Sequence, residues 1–203
     1  MSDMWPADKE EAARWFSQRL AEFRFDGQAG DIPWRAASDA HRPAAVLVPL
    51  VWHAAGPTVL LTQRTESLST HAGQVSFPGG KVDADDRSTE DAALREAREE
   101  IGLERACVQV LGSLPQYVTI TGFVVTPVVG LVTPPLSLTP EPGEVAAVFE
   151  VPLAQALDAH QYERHCYVRD GVEGFYLAMN WQQHTIWGAT AAMLRLLSQA
   201  LTD

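Results

Sequence analysis

The chain has 203 residues, enough for one domain of ordinary size with a full hydrophobic core. Apolar residues supply 46% and charged residues 20%, and 26 Asp plus Glu against 15 Lys plus Arg leave a net charge of −11. That acidity argues against nucleic acid as a partner, which needs a basic surface, and two cysteines, Cys107 and Cys166, are too few for a disulfide framework and lack metal-ligand spacing, which fits a reducing, cytoplasmic location.

The first residues are acidic and lack the basic flank and apolar stretch of a secretory leader. The longest apolar run, 44–55, is interrupted by Pro49 and His53 and falls well short of the ~20 residues that span a bilayer. A soluble protein without a membrane partner is expected. Asp8–Phe23 predicts an amphipathic helix, with Ala12, Trp15, Phe16, Leu20 and Phe23 at helical spacing. This helix could cap its own core or that of a second subunit, so a homodimer is open. A loop rich in Gly, Asp and Pro follows to about Pro43. Strands are predicted over Ala44–Trp52 and Thr58–Thr62, with a turn at Ala55-Gly56-Pro57. Gln74–Phe77 is short and extended, and Pro78-Gly79-Gly80 breaks it.

A helix starts at Ser88 or Thr89, with Asp91 placed to complete a capping arrangement, and stops at Gly102. Cys107–Leu111, Phe123–Val132 and Val145–Val151 read as strands, and the Pro-rich stretch 134–142 as a loop. Leu153–Leu157 predicts a short helix and Ala189–Leu201 a longer one with Met193, Leu196 and Leu197 inward. Strands and helices interleave irregularly, so the class is α/β (α+β), a mixed sheet with helices packed on it.

Charge is concentrated. Between Asp83 and Glu104, nine of 22 residues are acidic and three basic, whereas 106–163 holds no Lys or Arg. Wound at ~100° per residue, Leu94, Ala97 and Ile101 share one arc and Glu96, Glu99 and Glu100 the neighbouring one. Carboxylates one turn apart repel, and a cation between them converts repulsion into coordination. An oxygen-only donor set suits Mg²⁺ or Mn²⁺. The alternative is a solvated face with Arg95 and Arg98 as intrahelical partners. Phe77-Pro78-Gly79-Gly80 upstream favours the metal, because a Cβ-free loop can present backbone groups to a metal or phosphate. The six histidines lack ligand spacing, and His165-Cys166, adjacent in an extended segment, point to opposite faces. For adenine stacking, Trp34, Trp52 and Phe123 stand equal.

Gly80, five residues, Asp86, then Arg95-Glu96-Ala97-x-Glu99-Glu100-x-Gly102-Leu103 resembles the Nudix box. Asp86 stands where the box has Glu, and eight residues rather than seven separate it from Arg95. Upstream, Leu60-Leu61-Thr62-Gln63-Arg64, Gly73 and Phe77–Gly80 resemble the motif of the coenzyme A pyrophosphatase branch, with Thr65 for its Ser or Ala and Ser69 for its Arg. Tyr117–Phe123, Val125–Gly130 and Ile186–Thr190 are similar to that branch too. The resemblance implies a Nudix-type α/β/α sandwich over 43–203, with 1–42 as a helical N-terminal extension.

It also implies hydrolysis of coenzyme A to adenosine 3′,5′-bisphosphate and 4′-phosphopantetheine, with Mg²⁺ or Mn²⁺ as cofactor. The partner is then a small nucleotide. Glu96 and Glu100 would be the principal metal ligands, Glu99 a further one and the Gly80 carbonyl a contributor. Arg95 would orient Glu96 or Glu99, and Glu144 is the candidate general base beside the box glutamates. Arg64 and Lys81, flanking the Gly79-Gly80 loop, are candidates for substrate phosphates. The rival readings are the same chemistry on ADP-ribose, a dinucleotide or a damaged nucleoside triphosphate, and a Nudix-derived binding module without catalysis.

Overall fold

The computed structural model describes residues 4–25, 27, 32–67, 71–169 and 171–202. Helix α1 (Lys9–Glu22) begins where Asp8 accepts the backbone N–H groups of Glu10 and Glu11, each at 3.0 Å. Its apolar stripe of Ala12, Ala13, Phe16 and Leu20 is buried in this chain's own core. Strands β1 (Arg42–His53) and β2 (Gly56–Arg64) form a hairpin whose turn is Ala54-Ala55, one residue earlier than the sequence suggests. Gly56, at φ +120°, tolerates the backbone that lets β2 start there, and Pro57 joins the strand.

Strand β3 (Val75–Ser76) pairs with β2. The expected break at Gly79-Gly80 is instead strand β4 (Gly79–Lys81), paired antiparallel with β1. Helix α2 (Thr89–Ile101) is capped by Ser88, whose hydroxyl accepts the Asp91 N–H at 3.1 Å, and ends at Gly102 with φ +69°. The Asp91 carboxylate accepts from the Arg87 backbone and side chain rather than closing the box back onto Ser88. Strands β5 (Val108–Ser113), β6 (Tyr117–Val118), β7 (Phe123–Val132) and β8 (Val145–Pro152) complete an eight-stranded sheet. The sheet is mixed: β7 runs parallel to β1 over ten residue pairs, and β8 antiparallel to β2.

Alternation along these strands sorts the core into two layers. From β1, Ala45, Leu47 and Val51 meet Ala93, Ala97 and Ile101 of α2 on one face. Ala44, Val48 and Leu50 turn the other way, onto a cluster that takes in α1, α3 (Leu153–Leu157) and α4 (Gly188–Thr202). This is an α/β/α arrangement around a mixed sheet. Helix α4 is buried nearly all round, with Met193, Leu196 and Leu197 inward as expected and also Leu194 and Leu201.

A second, three-stranded antiparallel sheet precedes α4: β9 (Glu163–Arg169), β10 (Val172–Trp181) and β11 (His184–Trp187). Apart from the extended reading of His165-Cys166, the sequence predicts no strand there. Strand β9 mixes charge with Val and Tyr, and its described side chains are exposed or half-exposed, so it carries no apolar run. The Asp170-Gly171 pair between strand-formers was the available signal.

Candidate active site

Strand β4 lays the glycine turn against the N-terminal half of β1, with Ala45 opposite Gly80 and Val46 opposite Gly79. A Cβ on Gly79 would stand 2.6 Å from Val46 Cα, so only glycine permits this approach. A Cβ on Gly80 would stand 2.5 Å from Glu96 Oε1 and 2.7 Å from Oε2. The Glu96 carboxylate therefore fills the space a side chain would take. Because Leu94, Ala97 and Ile101 anchor α2 on the sheet, Glu96 and Glu100 on the adjoining arc are carried onto this turn.

The three box glutamates differ sharply in solvation. Their side chains are 17% (Glu96), 59% (Glu99) and 5% (Glu100) exposed. Glu100 Oε2 accepts the Gly79 N–H at 3.1 Å, and Oε1 lies 3.7 Å from Arg64 Nη1. Burial nevertheless pushes its carboxyl up to about 7, with the negative charges of Glu96 and Glu144 adding to the rise and Gly79 and Arg64 opposing it. Burial also raises Glu96, against the pull of Arg95.

Arg95 is the organising cation. Its Nε and Nη2 grip both oxygens of Asp86 at 3.0 Å, and Nη2 also donates to the Lys81 carbonyl at 3.1 Å. Nη1 donates to Glu96 Oε1 and Glu99 Oε2, each at 3.0 Å. One guanidinium thus ties the loop before α2, strand β4 and two box glutamates together, and Asp86 is held below the usual carboxylate range by it. The paired grip of Asp86 on Arg95 was missed at the sequence level; its signal was an acid at the position of the box's first Glu.

The loop before β8 is fastened to the end of α2 by Thr139 N–H to Ile101 O, 2.9 Å, and Glu141 N–H to Glu100 O, 2.8 Å. Glu144 follows on that loop; its carbonyl accepts from Thr65 N–H at 3.0 Å and its side chain is exposed. Lys81 also has an exposed side chain. Arg64 is largely buried, and its Nε has no hydrogen-bond partner among the described residues. Ser69 lies outside the described residues. Trp34 packs edge-on to Phe25 and Tyr117, and Phe123 lies under the Arg42 guanidinium at 4.1 Å. His165 stacks on Tyr176, and neither cysteine is bonded.

Among the described residues, no three Asp, Glu, His or Cys side chains converge as a ready-made ion cage. The carboxylates are instead shared between Arg95 and the Gly79 N–H. The donor chemistry still fits a hard divalent cation: two desolvated carboxylates with excess negative charge face a turn that carries no side chain. No helix among the described residues is long and apolar enough to cross a membrane.

Glycine turn, capped acidic helix and arginine clasp on an α/β/α scaffold define a Nudix-type site. The NUDIX domain family matches residues 41–170, and the chain belongs to that family. It is similar to an uncharacterized Nudix hydrolase, NudL, of Photorhabdus laumondii, 46% identical over 167 residues covering 82% of this chain and 89% of the relative. NudL of Escherichia coli, also described as an uncharacterized Nudix hydrolase, is 46% identical over 159 residues, 78% and 82% of the two chains. Among solved structures, a C. elegans Ap4A hydrolase binary complex aligns with a TM-score of 0.49 at 22% identity, over 56% of this chain and 83% of that one.

Proposed function

We propose that this chain is a divalent-metal-dependent Nudix pyrophosphohydrolase that cleaves the pyrophosphate bond of coenzyme A or its derivatives. The observation carrying the hydrolase reading is the pair Glu96 and Glu100, desolvated and charged against a Cβ-free turn. Substrate class rests on the resemblance of Leu60–Gly80, Tyr117–Phe123 and Ile186–Thr190 to the coenzyme A branch. The location that goes with it is the cytoplasm, where two free cysteines stay reduced.

Glu96 and Glu100 would hold the cation, with Glu99 and the Gly80 carbonyl as further oxygens. When bound, Mg²⁺ or Mn²⁺ supplies charge neutralisation for the pyrophosphate and makes a water acidic enough to attack. The protein's share is positional. Arg95, held in turn by Asp86, fixes the carboxylates of Glu96 and Glu99, of which Glu99 is the more exposed. Arg64, whose Nη1 lies 3.7 Å from Glu100 Oε1, offers its guanidinium to a substrate phosphate, and Lys81 adds an exposed cation at the rim. Glu144 takes the proton of the attacking water; its loop is bonded to the last turn of α2, and its charge already bears on Glu100.

One observation favours a second reading. The branch motif has Arg where this chain has Ser69, which removes a phosphate-binding cation and leaves room for another nucleoside diphosphate derivative such as ADP-ribose. The deciding experiment is product analysis by HPLC after incubation with Mg²⁺ or Mn²⁺ and coenzyme A, ADP-ribose or a nucleoside triphosphate in parallel. Adenosine 3′,5′-bisphosphate from coenzyme A at the highest catalytic efficiency is expected. Preferential cleavage of ADP-ribose would move the specificity while keeping the chemistry, and folded protein that cleaves nothing would leave a binding module.

A further inference from the structure

The three-stranded sheet ends in an open edge. Its order is β11-β10-β9, and among the described residues β9 pairs only with β10. The register sets Arg169 opposite Val172 across a two-residue connection. Such connections close on a hydrogen-bonded pair, so residues 169, 167, 165 and 163 turn their backbone groups toward β10. Arg164, Cys166 and Val168 therefore point their N–H and C=O groups outward. Among the described residues, nothing bonds to them there. All three are exposed, Val168 to 70%.

Exposed edges are normally guarded by Pro, by charged side chains, Lys above all, or by a bulge. Strand β9, Glu-Arg-His-Cys-Tyr-Val-Arg, has neither Pro nor Lys, Arg164 is the one charge among its outward-pointing residues, and its pairing with β10 runs without a register shift. The strand also matches itself. An antiparallel copy centred on Cys166 sets Cys166 opposite Cys166 and Arg164 opposite Val168. In that register every outward-pointing residue faces another outward-pointing residue, so three pairs each exchange two backbone hydrogen bonds. A shift by one residue would oppose inward groups and form none.

Side chains on the same face agree. Glu173 lies beside Val168 and Phe175 beside Cys166 in the β9–β10 register, and the Arg164 guanidinium rests on the Phe175 ring at 3.8 Å. Within one chain Arg164 and Glu173 lie at opposite ends of this face, and neither has an ion-pair partner among the described residues. In the paired arrangement, Arg164 of one copy swings off Phe175 to face Glu173 of the other across Val168, two strands or about 9–10 Å away, within the summed reach of the two side chains. Phe175 and Cys166 then form an apolar centre on the two-fold axis.

We propose that β9 is a homodimerisation edge, joining two copies of this chain into a continuous six-stranded sheet about a two-fold axis at Cys166. The chain mass is 22.2 kDa, so sedimentation velocity from micromolar to submillimolar protein distinguishes monomer from dimer directly. Arg164→Glu and Glu173→Arg each place like charges across the axis at two symmetric positions, and each raises the dimer dissociation constant roughly tenfold. The double variant restores the wild-type value. Both positions are exposed or half-exposed, and circular dichroism confirms that each variant is folded. In parallel, diamide oxidises two facing thiols to one disulfide, itself taking up both hydrogens; the Cα separation of a hydrogen-bonded strand pair, about 5.5 Å, allows it. A non-reducing gel shows the covalent dimer for wild type and Cys107→Ser and not for Cys166→Ser. A chain monomeric throughout that range, or a dimer indifferent to the charge variants, overturns the proposal.

Discussion

Replacing Glu100 by Gln separates the charge of this side chain from its packing. The carboxyl is 5% exposed, and its ordinary value of 4.5 is raised to about 7. The sign follows from proton binding: between these values the folded chain holds a proton that the unfolded chain has lost. Stability is thus fully expressed below about pH 4.5, falls as the pH rises toward 7, and is flat above it. At about 1.4 kcal/mol per pH unit, the ionised form costs the metal-free fold on the order of 3 kcal/mol at pH 8. Gln copies the protonated shape and can still accept the Gly79 N–H. In EDTA at pH 8, Glu100→Gln is therefore expected to raise the melting temperature, by roughly 6–12 °C for a chain of this size. At pH 5 the gain should be small. Mn²⁺ should then raise the melting temperature of wild type and leave the variant unmoved, while turnover in the variant falls by orders of magnitude. Scanning fluorimetry across pH, with and without Mn²⁺, reads all of this. A variant equally destabilised at pH 5 and pH 8 would refute the reasoning, because the side chain would then matter only for packing.

Gly80→Ala should lower turnover about a hundredfold by driving its Cβ into the Glu96 carboxylate, with a much smaller change in metal-free melting temperature, since the Gly80 backbone suits any residue; equal turnover would mean Glu96 is free to move aside. Asp86→Asn frees Arg95 from its two-point grip and should cut kcat about tenfold with little change in KM. Because Asp86 is held below its ordinary range, its contribution to stability is present at neutral pH and lost as the solution is acidified, so the Asn variant should differ from wild type least in acid. Glu144→Gln should lower kcat by about a hundredfold or more and leave the Mn²⁺-induced thermal shift intact, which a ligand role would not.

Elements that cross the core were legible because burial writes a period into the sequence. Alternation in β1 splits Ala45, Leu47 and Val51 from Ala44, Val48 and Leu50, and those two sets face α2 and the α1/α3/α4 layer respectively. Where a strand is not immersed, the period vanishes. Strand β9 is exposed or half-exposed at its described positions and is held by backbone pairing to β10, so no apolar period announces it. The glycine turn misled for a related reason. Gly-Gly ordinarily marks a bend, but here both residues are in a strand, because only a backbone without Cβ atoms fits between β1 on one side and the Glu96 carboxylate on the other.

The site shows the same boundary between what a helical period fixes and what the surroundings decide. Winding α2 puts Glu96, Glu99 and Glu100 on one arc, and the structure keeps them there. Winding does not say that Glu100 is buried under Gly79 while Glu99 stays in solvent, since that depends on where β4 crosses the helix. Nor does it assign the arginines. Arg95 and Arg98 are both within reach of the acids along the helix, yet Arg95 reaches back nine residues to Asp86, whereas Arg98 lies exposed 3.7 Å from Glu104. The difference is positional: Arg95 lies where the loop from β4 folds back over the first turns of α2, and Arg98 does not. A chain already at −11 thus concentrates repulsion at one turn and restrains it chiefly through the Arg95 guanidinium, with Arg64 3.7 Å from Glu100. Arg95 restrains Glu96 and Glu99 but does not touch Glu100, which leaves the most deeply buried of the three charges as the one with most to gain from a cation.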